Sequence, residues 1–233
     1  MPAVGLLPVV LVHSPYLGPA SLRPLADALA AGGVESCLID LRVTVSAAPV
    51  HQRLIGAFAD AMDEVELAEP AVLVGHSAAG TLLPAFAAEL DELVSALVYV
   101  DAELPTPGHS FRELEPARFA KLRASAREGQ LPRWSDWFTP NPFTELVADE
   151  ALRAEMLDEE PEVAVEFLKE QRPSAEWDGP SGYLLLTEAY GVQAARAREL
   201  GWPVRELASN HLAPATDPIP VAAALTELVA ALA

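Results

Sequence analysis

The chain has 233 residues, of which 51% are hydrophobic and 21% are charged, a composition typical of a globular protein with one substantial core. Its 34 acidic and 15 basic residues give a formal net charge of −19. Nucleic acid phosphates and anionic membrane surfaces repel such a protein, so we expect neither as a partner. Because the charges are spread along the chain, they indicate solubility rather than a binding patch of one sign.

A single cysteine, Cys37, excludes an internal disulfide and a cluster of thiolate metal ligands. The first apolar run, Val4 to Val12, has no basic segment before it and no small-residue cleavage site after it, so it does not resemble a signal peptide. No apolar run is long enough to span a membrane. We therefore expect a cytoplasmic protein, and no residue pattern predicts a metal site or a cofactor.

Short β-branched and leucine-rich runs recur along the chain, followed by turn residues and helical patterns. The runs are apolar throughout, which is typical of parallel strands that helices cover on both faces. The sequence therefore predicts an α/β fold with a mostly parallel six-stranded sheet flanked by helices. The predicted strands are Val9 to Val12, Ser36 to Leu41, Ala71 to Val74, Ala96 to Val100, Tyr183 to Thr187 and Val204 to Leu207.

The rhythm of the sequence changes between residues 104 and 180, where strand-like runs stop and aromatic residues occur among glutamate-rich helical stretches. Proline and glycine flank this segment, as expected where a chain leaves and rejoins a sheet. We predict a core of residues 1–103 and 181–233 with a helical cap at 104–180. Its aromatic residues Trp134, Trp137 and Phe138 either contact a substrate or form a small core of their own.

The strongest functional motif is the strand, turn and helix from Ala71 to Gly80, with the sequence AVLVGHSAAG. A nucleophile elbow holds its serine on a strained turn, so small residues are needed two positions before and after it. Gly75 and Ala79 meet this need around Ser77. The following helix, predicted to extend to Leu90, starts with the amide of Ala78, which points toward a developing oxyanion.

With this motif in place, the chain resembles the α/β-hydrolase superfamily, in particular its small esterases, thioesterases and hydroxynitrile lyases with a helical cap. The resemblance covers essentially the whole chain. Val9 to His13 resembles the first core strand of the family, Leu97 to Asp101 the strand before the cap, and Leu207 to Leu212 the loop of the catalytic histidine. It implies the α/β-hydrolase fold, with His211 as the base that takes the proton of Ser77.

The acid that orients the histidine has two candidates. In the family an aspartate follows the strand predicted here at Tyr183 to Thr187, but in this chain the next residues are Glu188, Ala189 and Tyr190. Either Glu188 reaches the histidine with its longer side chain, or Asp101 reaches it from the end of the preceding strand, as in some members. We favour Asp101, because it ends its strand at the edge of the sheet that carries the serine.

The oxyanion loop departs from the family pattern, in which a His-Gly pair precedes a residue that donates its amide. Here His13 and Ser14 precede Pro15, which has no amide hydrogen at that donor position. Three interpretations follow: Tyr16 supplies its amide or its phenol, Ser14 supplies a donor, or the reaction does not pass through an oxyanion. His76 occupies the variable position of the elbow, and we expect a packing role for it.

The leading hypothesis is a serine-dependent hydrolase of a small to medium, uncharged, apolar ester, thioester or lactone. The altered oxyanion loop and the displaced acid favour an alternative, a lyase, cyclase or dehydratase that uses Ser77 and His211 as acid-base groups. A non-catalytic ligand-binding module is a third hypothesis, against which the intact serine and histidine argue. Each hypothesis implies a small-molecule partner, and the sequence carries no signal for an oligomeric state.

Overall fold

The computed structural model describes residues 7–42 and 45–232, so the first three residues of the apolar run at 4–12 lie outside it. Within these ranges, six strands form a sheet in which all neighbouring pairs are parallel, in the order β2-β1-β3-β4-β5-β6. The strands are β1 Val9–Val12, β2 Ser36–Ile39, β3 Ala71–His76, β4 Val94–Val100, β5 Ser181–Leu185 and β6 Val204–Glu206. The predicted α/β fold is confirmed.

β5 ends earlier than predicted because a carboxylate accepts hydrogen bonds from the amides that would continue the strand. β5 stops at Leu185, and the amides of Leu186 and Thr187 donate to Oδ1 of Asp101 at 3.0 and 2.9 Å. The chain therefore leaves the sheet under the control of a side chain from the neighbouring strand. β2 is also two residues shorter than predicted, since it ends at Ile39.

Helices follow most of the strands, and none in the described ranges is long and apolar enough to cross a bilayer. They are α1 Arg23–Ala31, α2 Val50–Asp63, α3 Leu83–Leu90, α4 Phe111–Leu114, α5 Pro116–Ser125, α6 Pro142–Leu146, α7 Glu150–Glu159, α8 Gly191–Glu199, α9 Ala213–Thr216 and α10 Pro218–Leu232.

The helix predicted to start at Ala78 begins as a 3₁₀ segment, Ser77–Leu82, and becomes an α-helix only at Leu83. Pro84 explains the change. It has no amide hydrogen to donate to the preceding turn, so an α-helix accommodates it only near its first position. The tight 3₁₀ geometry therefore follows directly after the serine.

Successive strand residues face two apolar layers. Val9 and Leu11 pack in the layer that contains the core residues of α1 and α10, whereas Val10 and Val12 face the layer of α2 and α3. In the second layer the rings of Phe58 and Phe86 stack with their centroids 4.4 Å apart. Both faces of the sheet are thus covered, which accounts for the uninterrupted apolar runs.

The carboxyl ends of the parallel strands meet at one edge of the sheet, where β3 lies between β1 and β4. Residues that follow these three strands therefore come together although they are distant in sequence. The chain between β4 and β5 folds into α4 to α7, and buried residues of these helices join the core cluster that contains β3 residues. This edge holds the candidate site.

Candidate active site

The serine of the elbow stands on a strained turn at the end of β3. Ser77 has a φ of +59°, a value that residues other than glycine rarely adopt, and it is only 5% exposed. A Cβ at Gly75 would lie 2.9 Å from the side chain of Leu83. A Cβ at Gly80 would lie 2.3 Å from the carbonyl oxygen of Glu103. The close approach of the backbones therefore depends on Gly80 as well as on the predicted small residues.

His211 bridges the serine and an aspartate. Its Nε2 atom lies 3.1 Å from Oγ of Ser77, and its Nδ1 atom lies 2.7 Å from Oδ2 of Asp101. A neutral imidazole that donates from Nδ1 to the carboxylate leaves Nε2 free to accept the serine hydroxyl. The three side chains have the order of contacts that a nucleophile, a base and an orienting acid require.

Asp101 is fully buried at the end of β4, with a φ of +43°. Its Oδ1 accepts the amides of Leu186 and Thr187, and Oδ2 accepts the Thr187 hydroxyl at 2.8 Å. Burial acts to raise the pKa of this carboxyl, but the hydrogen bonds from His211 and the two amides outweigh it, so the pKa lies below its usual value. The acid is thus ionised and fixed beside the histidine.

The second candidate acid is not among the hydrogen-bond and ion-pair partners of the histidine in the described part of the chain. Glu188 is exposed and begins the short 3₁₀ turn Glu188–Tyr190 after β5. Among the described residues, Asp101 is the carboxylate in contact with His211. Because Asp101 holds the chain at Thr187, the next side chain is directed to solvent rather than into the site.

Tyr190 is a site residue that the sequence analysis did not propose. Its hydroxyl lies 3.4 Å from Oγ of Ser77, and its ring stacks on that of His211 with centroids 5.2 Å apart and planes inclined by 5°. Burial raises the pKa of the phenol to about 12, so it keeps its proton at neutral pH. The sequence did contain a signal for Tyr190: an aromatic residue stands in the loop where the family carries its aspartate.

His76 supports the loop that carries the base. Its Nε2 donates to the carbonyl oxygen of His211 at 2.9 Å, and the two rings lie 4.7 Å apart. Burial, together with the neighbouring His211, lowers the pKa of His76, so its ring is neutral. This hydrogen bond indicates that His76 positions His211 and does not itself react.

The loop after β1 forms a turn that accommodates Pro15. The amide of Leu17 donates to the carbonyl oxygen of Ser14 at 2.9 Å, which places the proline at the second position of a β-turn, where its fixed φ is favourable. The amide of Tyr16 makes a long contact of 3.4 Å with Oγ of Ser14. His13 contacts the Ser14 carbonyl with Nδ1 and accepts the amide of Leu41 at Nε2, so it links the loop to the segment after β2.

The aromatic ring of Tyr16 packs inside the protein. Its centroid lies 4.9 Å from that of Trp137 and 5.7 Å from that of Phe167. Burial, with a further contribution from Glu103, raises the pKa of its phenol. The buried ring therefore fixes the position of the loop after β1.

Comparison with known proteins identifies the family of the chain. A sequence profile described as the Alpha/beta hydrolase family matches residues 9–224, which is most of the chain. The chain belongs to the alpha/beta hydrolase family. No curated protein matches this α/β hydrolase at a significant level.

Solved structures of other α/β hydrolases superpose on nearly the whole chain. An extracellular alpha/beta-hydrolase from a Paenibacillus species has a TM-score of 0.74 and 18% identity, covering 95% of this chain and 98% of that one. Tomato methylketone synthase I, complexed with 2-tridecanone, has a TM-score of 0.72 and 16% identity over 97% and 99%. An Arabidopsis methylesterase has a TM-score of 0.68 and 17% identity over 97% and 100%. At these identities the likeness concerns the fold, and the cytoplasmic location stays a prediction.

A cavity of about 960 Å³ opens beside the histidine of this α/β hydrolase. His211 and Tyr190 line it, and the segment between β4 and β5 supplies much of the remaining wall, including Phe111, Trp134, Trp137 and Phe138. The ring of Trp134 packs near those of Phe138 and Phe143, and its centroid lies 6.0 Å from that of His211. Contact of this ring with a substrate stays a prediction.

Proposed function

We propose that this α/β hydrolase is a serine esterase acting on small to medium, uncharged esters with an apolar acyl part, thioesters and lactones included. The observation that carries the proposal is the continuous contact from Ser77 Oγ through His211 to Asp101, at 3.1 and 2.7 Å. On this proposal Ser77 is the nucleophile, His211 the general base and acid, and Asp101 the orienting acid.

The reaction proceeds in two steps. Nε2 of His211 takes the proton from Ser77 as Oγ bonds to the carbonyl carbon, and the resulting intermediate expels the alcohol, which receives that proton from His211. Water then attacks the acyl-enzyme with the same base, releasing the acid and restoring the serine. The oxyanion lies at the start of the 3₁₀ segment, where the amide of Ala78 donates, and the Tyr16 amide replaces the donor that Pro15 lacks.

The cavity supports the proposed substrate class. Its volume lies in the range of sites that enclose a small organic molecule. The rings of Tyr190 and Trp134, which line it, lie 5.2 and 6.0 Å from that of His211. Its charged lining residues balance, with Arg118, Lys121 and Arg172 against Glu103, Glu115 and Asp136. A lining without an excess charge of one sign favours an uncharged substrate.

The proposal assigns residues 104–180 to a cap over the site. Two contacts support this assignment by tying the segment to the sheet edge. Glu159 of α7 accepts the amide of Ala20 at 2.6 Å in the region after β1, and Arg172 forms an ion pair with Glu103 after β4. These contacts attach the segment to the chain after β1 and after β4, on the two sides of β3.

Labelling with a fluorophosphonate probe, together with hydrolysis of short-chain p-nitrophenyl esters, tests the proposal. We expect the wild-type protein to be labelled and to turn over, and Ser77→Ala and His211→Ala to lose both properties while keeping their melting temperatures. Ser95→Ala is the matched control, because it also removes a serine hydroxyl, but from β4. There the hydroxyl of Ser95 donates to the carbonyl oxygen of Ala71 at 3.1 Å. Turnover by Ser77→Ala, or its absence in the wild type, contradicts the esterase mechanism.

A lyase, cyclase or dehydratase is the second candidate, and Pro15 is the observation that favours it. An acid-base reaction of Ser77 and His211 that develops no oxyanion needs no donor at that position. Such an enzyme would bind its substrate without labelling and would form a product from which no alcohol is released. Mass analysis of products from a panel of hydroxynitriles and β-ketoacids separates it from the esterase.

A further inference from the structure

Tyr190 presents its phenol to the reacting centre in a fixed orientation. The hydroxyl lies 3.4 Å from Oγ of Ser77, and the ring is held parallel to the imidazole of His211. Since the serine hydroxyl donates to Nε2 of His211, Oγ is the acceptor for the phenol. The O–H of Tyr190 therefore points at the atom that attacks the substrate.

The order of the strands places this phenol on one particular side of the serine. β3 has β1 on one side and β4, then β5, on the other. Asp101 follows β4 and Tyr190 lies in the loop after β5, whereas Pro15 and Tyr16 follow β1. Tyr190 thus approaches Ser77 from the side of the acid and the histidine, opposite the oxyanion loop.

That side is the one from which the leaving group departs. His211 must pass its proton to the leaving oxygen, so this oxygen lies within hydrogen-bond reach of Nε2. The water that attacks in the second step occupies the same place, because it gives its proton to the same atom. The hydroxyl of Tyr190 lies on this same side, 3.4 Å from Oγ of Ser77. A leaving oxygen bonded close to Nε2 therefore comes near this donor.

We propose that Tyr190 is a further catalytic residue, whose hydroxyl donates a hydrogen bond to the leaving-group oxygen and later to the entering water. The inference rests on the proposed esterase function. The phenol keeps its proton throughout, since His211 supplies the proton that the leaving oxygen receives. The hydrogen bond stabilises negative charge that develops on that oxygen before the proton arrives.

The electrostatics of the site agree with a donor role. Burial raises the pKa of Tyr190 to about 12, while its contact with Ser77 acts in the opposite direction. The phenol is therefore protonated across the pH range in which His211 must act as a base. A hydroxyl that stays protonated can donate to a developing alkoxide at no cost in proton transfer.

The test compares leaving groups in Tyr190→Phe, which removes the hydroxyl and retains the ring on His211. Esters with one acyl part and either a p-nitrophenyl or an ethyl leaving group are used. For the ethyl ester we expect kcat/KM to fall by about 10- to 100-fold, the value of one hydrogen bond to a charged group. The p-nitrophenyl ester should lose much less, because its leaving anion is stable without a donor.

Tyr99→Phe is the matched control. Tyr99 is a buried tyrosine of β4 that stacks on Trp202 with centroids 5.3 Å apart, and the same substitution removes one phenol away from the cavity. It should leave the ratio of the two kcat/KM values as in the wild type. 3-Fluorotyrosine at position 190 provides a second variant if Tyr190→Phe does not fold. Its more acidic phenol should move the alkaline limb of the ethyl ester profile to lower pH.

The outcomes distinguish failure of the proposed role of Tyr190 from failure of the proposed esterase function. A larger loss for the ethyl ester supports the role of Tyr190. An equal loss for both esters, or no loss, overturns that role and leaves the esterase proposal intact, provided that the wild type is labelled and turns over. A wild-type protein that neither labels nor hydrolyses either ester overturns the esterase proposal itself, and the inference with it.

Discussion

Oδ2 of Asp101 lies 2.7 Å from Nδ1 of His211, and the same carboxylate holds the chain that leaves β5. The acid thus fixes the tautomer of the base and the path of the loop that carries Tyr190. These two effects are separable, because an asparagine at position 101 retains an oxygen for the amides of Leu186 and Thr187 but loses the charge that selects the tautomer.

Asp101→Asn should lower kcat by on the order of 10⁴-fold, as loss of the acid does in serine protease triads. The amide group favours the imidazole tautomer with its hydrogen on Nε2, which cannot accept the proton of Ser77. Steady-state hydrolysis of a p-nitrophenyl ester measures the effect. Glu188→Gln is the control and should retain wild-type kcat, because Glu188 is exposed. The opposite ranking of the two variants would assign the acid to Glu188.

His76 should make the folded state sensitive to acid. Histidine in an unfolded chain has a pKa near 6.5, whereas burial lowers that of His76 to about 3. Between these values the unfolded chain binds a proton that the folded protein does not, so stability falls as the pH falls, by up to about 1.4 kcal/mol per unit. Denaturant unfolding at pH 7, 6, 5 and 4 measures this slope.

His76→Gln keeps an N–H donor for the His211 carbonyl and removes the titration, so its unfolding free energy should depend less on pH than that of the wild type. His109→Gln is the matched control, since it removes an exposed imidazole. Identical slopes for His76→Gln and the wild type would show that the buried ring does not cause the acid sensitivity.

Gly80→Ala should destabilise the protein by about 1 to 3 kcal/mol, the usual cost of overpacking a core. The added Cβ would lie 2.3 Å from the carbonyl oxygen of Glu103. This oxygen belongs to the main chain, so the backbone at Glu103 would have to move. Gly56→Ala is the contrasting case, because nothing lies within 4 Å of its added Cβ in α2. There we expect a gain of about 0.5 to 1 kcal/mol from the helix propensity of alanine. Thermal unfolding of both variants measures the difference, and equal melting temperatures would refute the crowded elbow.

Tyr16→Phe should leave kcat/KM essentially unchanged. The ring of Tyr16 packs between Trp137 and Phe167, and the amide, which the substitution keeps, is the group assigned to the oxyanion. Ester hydrolysis and the rate of fluorophosphonate labelling both report on this step. A fall in both rates of a hundredfold or so, the cost of one lost oxyanion donor, would assign the donor to the phenol instead.

Local sequence was sufficient to predict the elbow and the sheet. The turn around Ser77 needs small neighbours at fixed positions, and a parallel sheet covered on both faces needs continuous apolar runs, so both features are visible within short windows. The α-helix α3 starts later than predicted, because Pro84 fits only the first turn of an α-helix and the residues before it form a 3₁₀ segment.

The acid could not be chosen from sequence alone. Asp101 and Glu188 both follow strands at the same edge, and the choice depends on where the chain leaves β5. That path is set by hydrogen bonds from Leu186 and Thr187 to Asp101, which lies 85 and 86 residues earlier in the chain. Tyr190 was missed for the same reason, since its contact with the serine spans 113 residues and follows from that path.

Glu103 links the elbow to the segment above it. Its amide donates to the carbonyl oxygen of Ser77 at 3.1 Å, and its carboxylate pairs with Arg172, which also donates to Thr106 at 2.6 Å. Residues 104–180 therefore cannot be exchanged as a unit to change the substrate range without disturbing the serine. Grafts that cut between Glu103 and Arg172 would loosen the nucleophile together with the pocket. Substitutions at exposed residues that line the cavity, such as Phe138, would alter substrate selectivity while leaving the position of Ser77 unchanged.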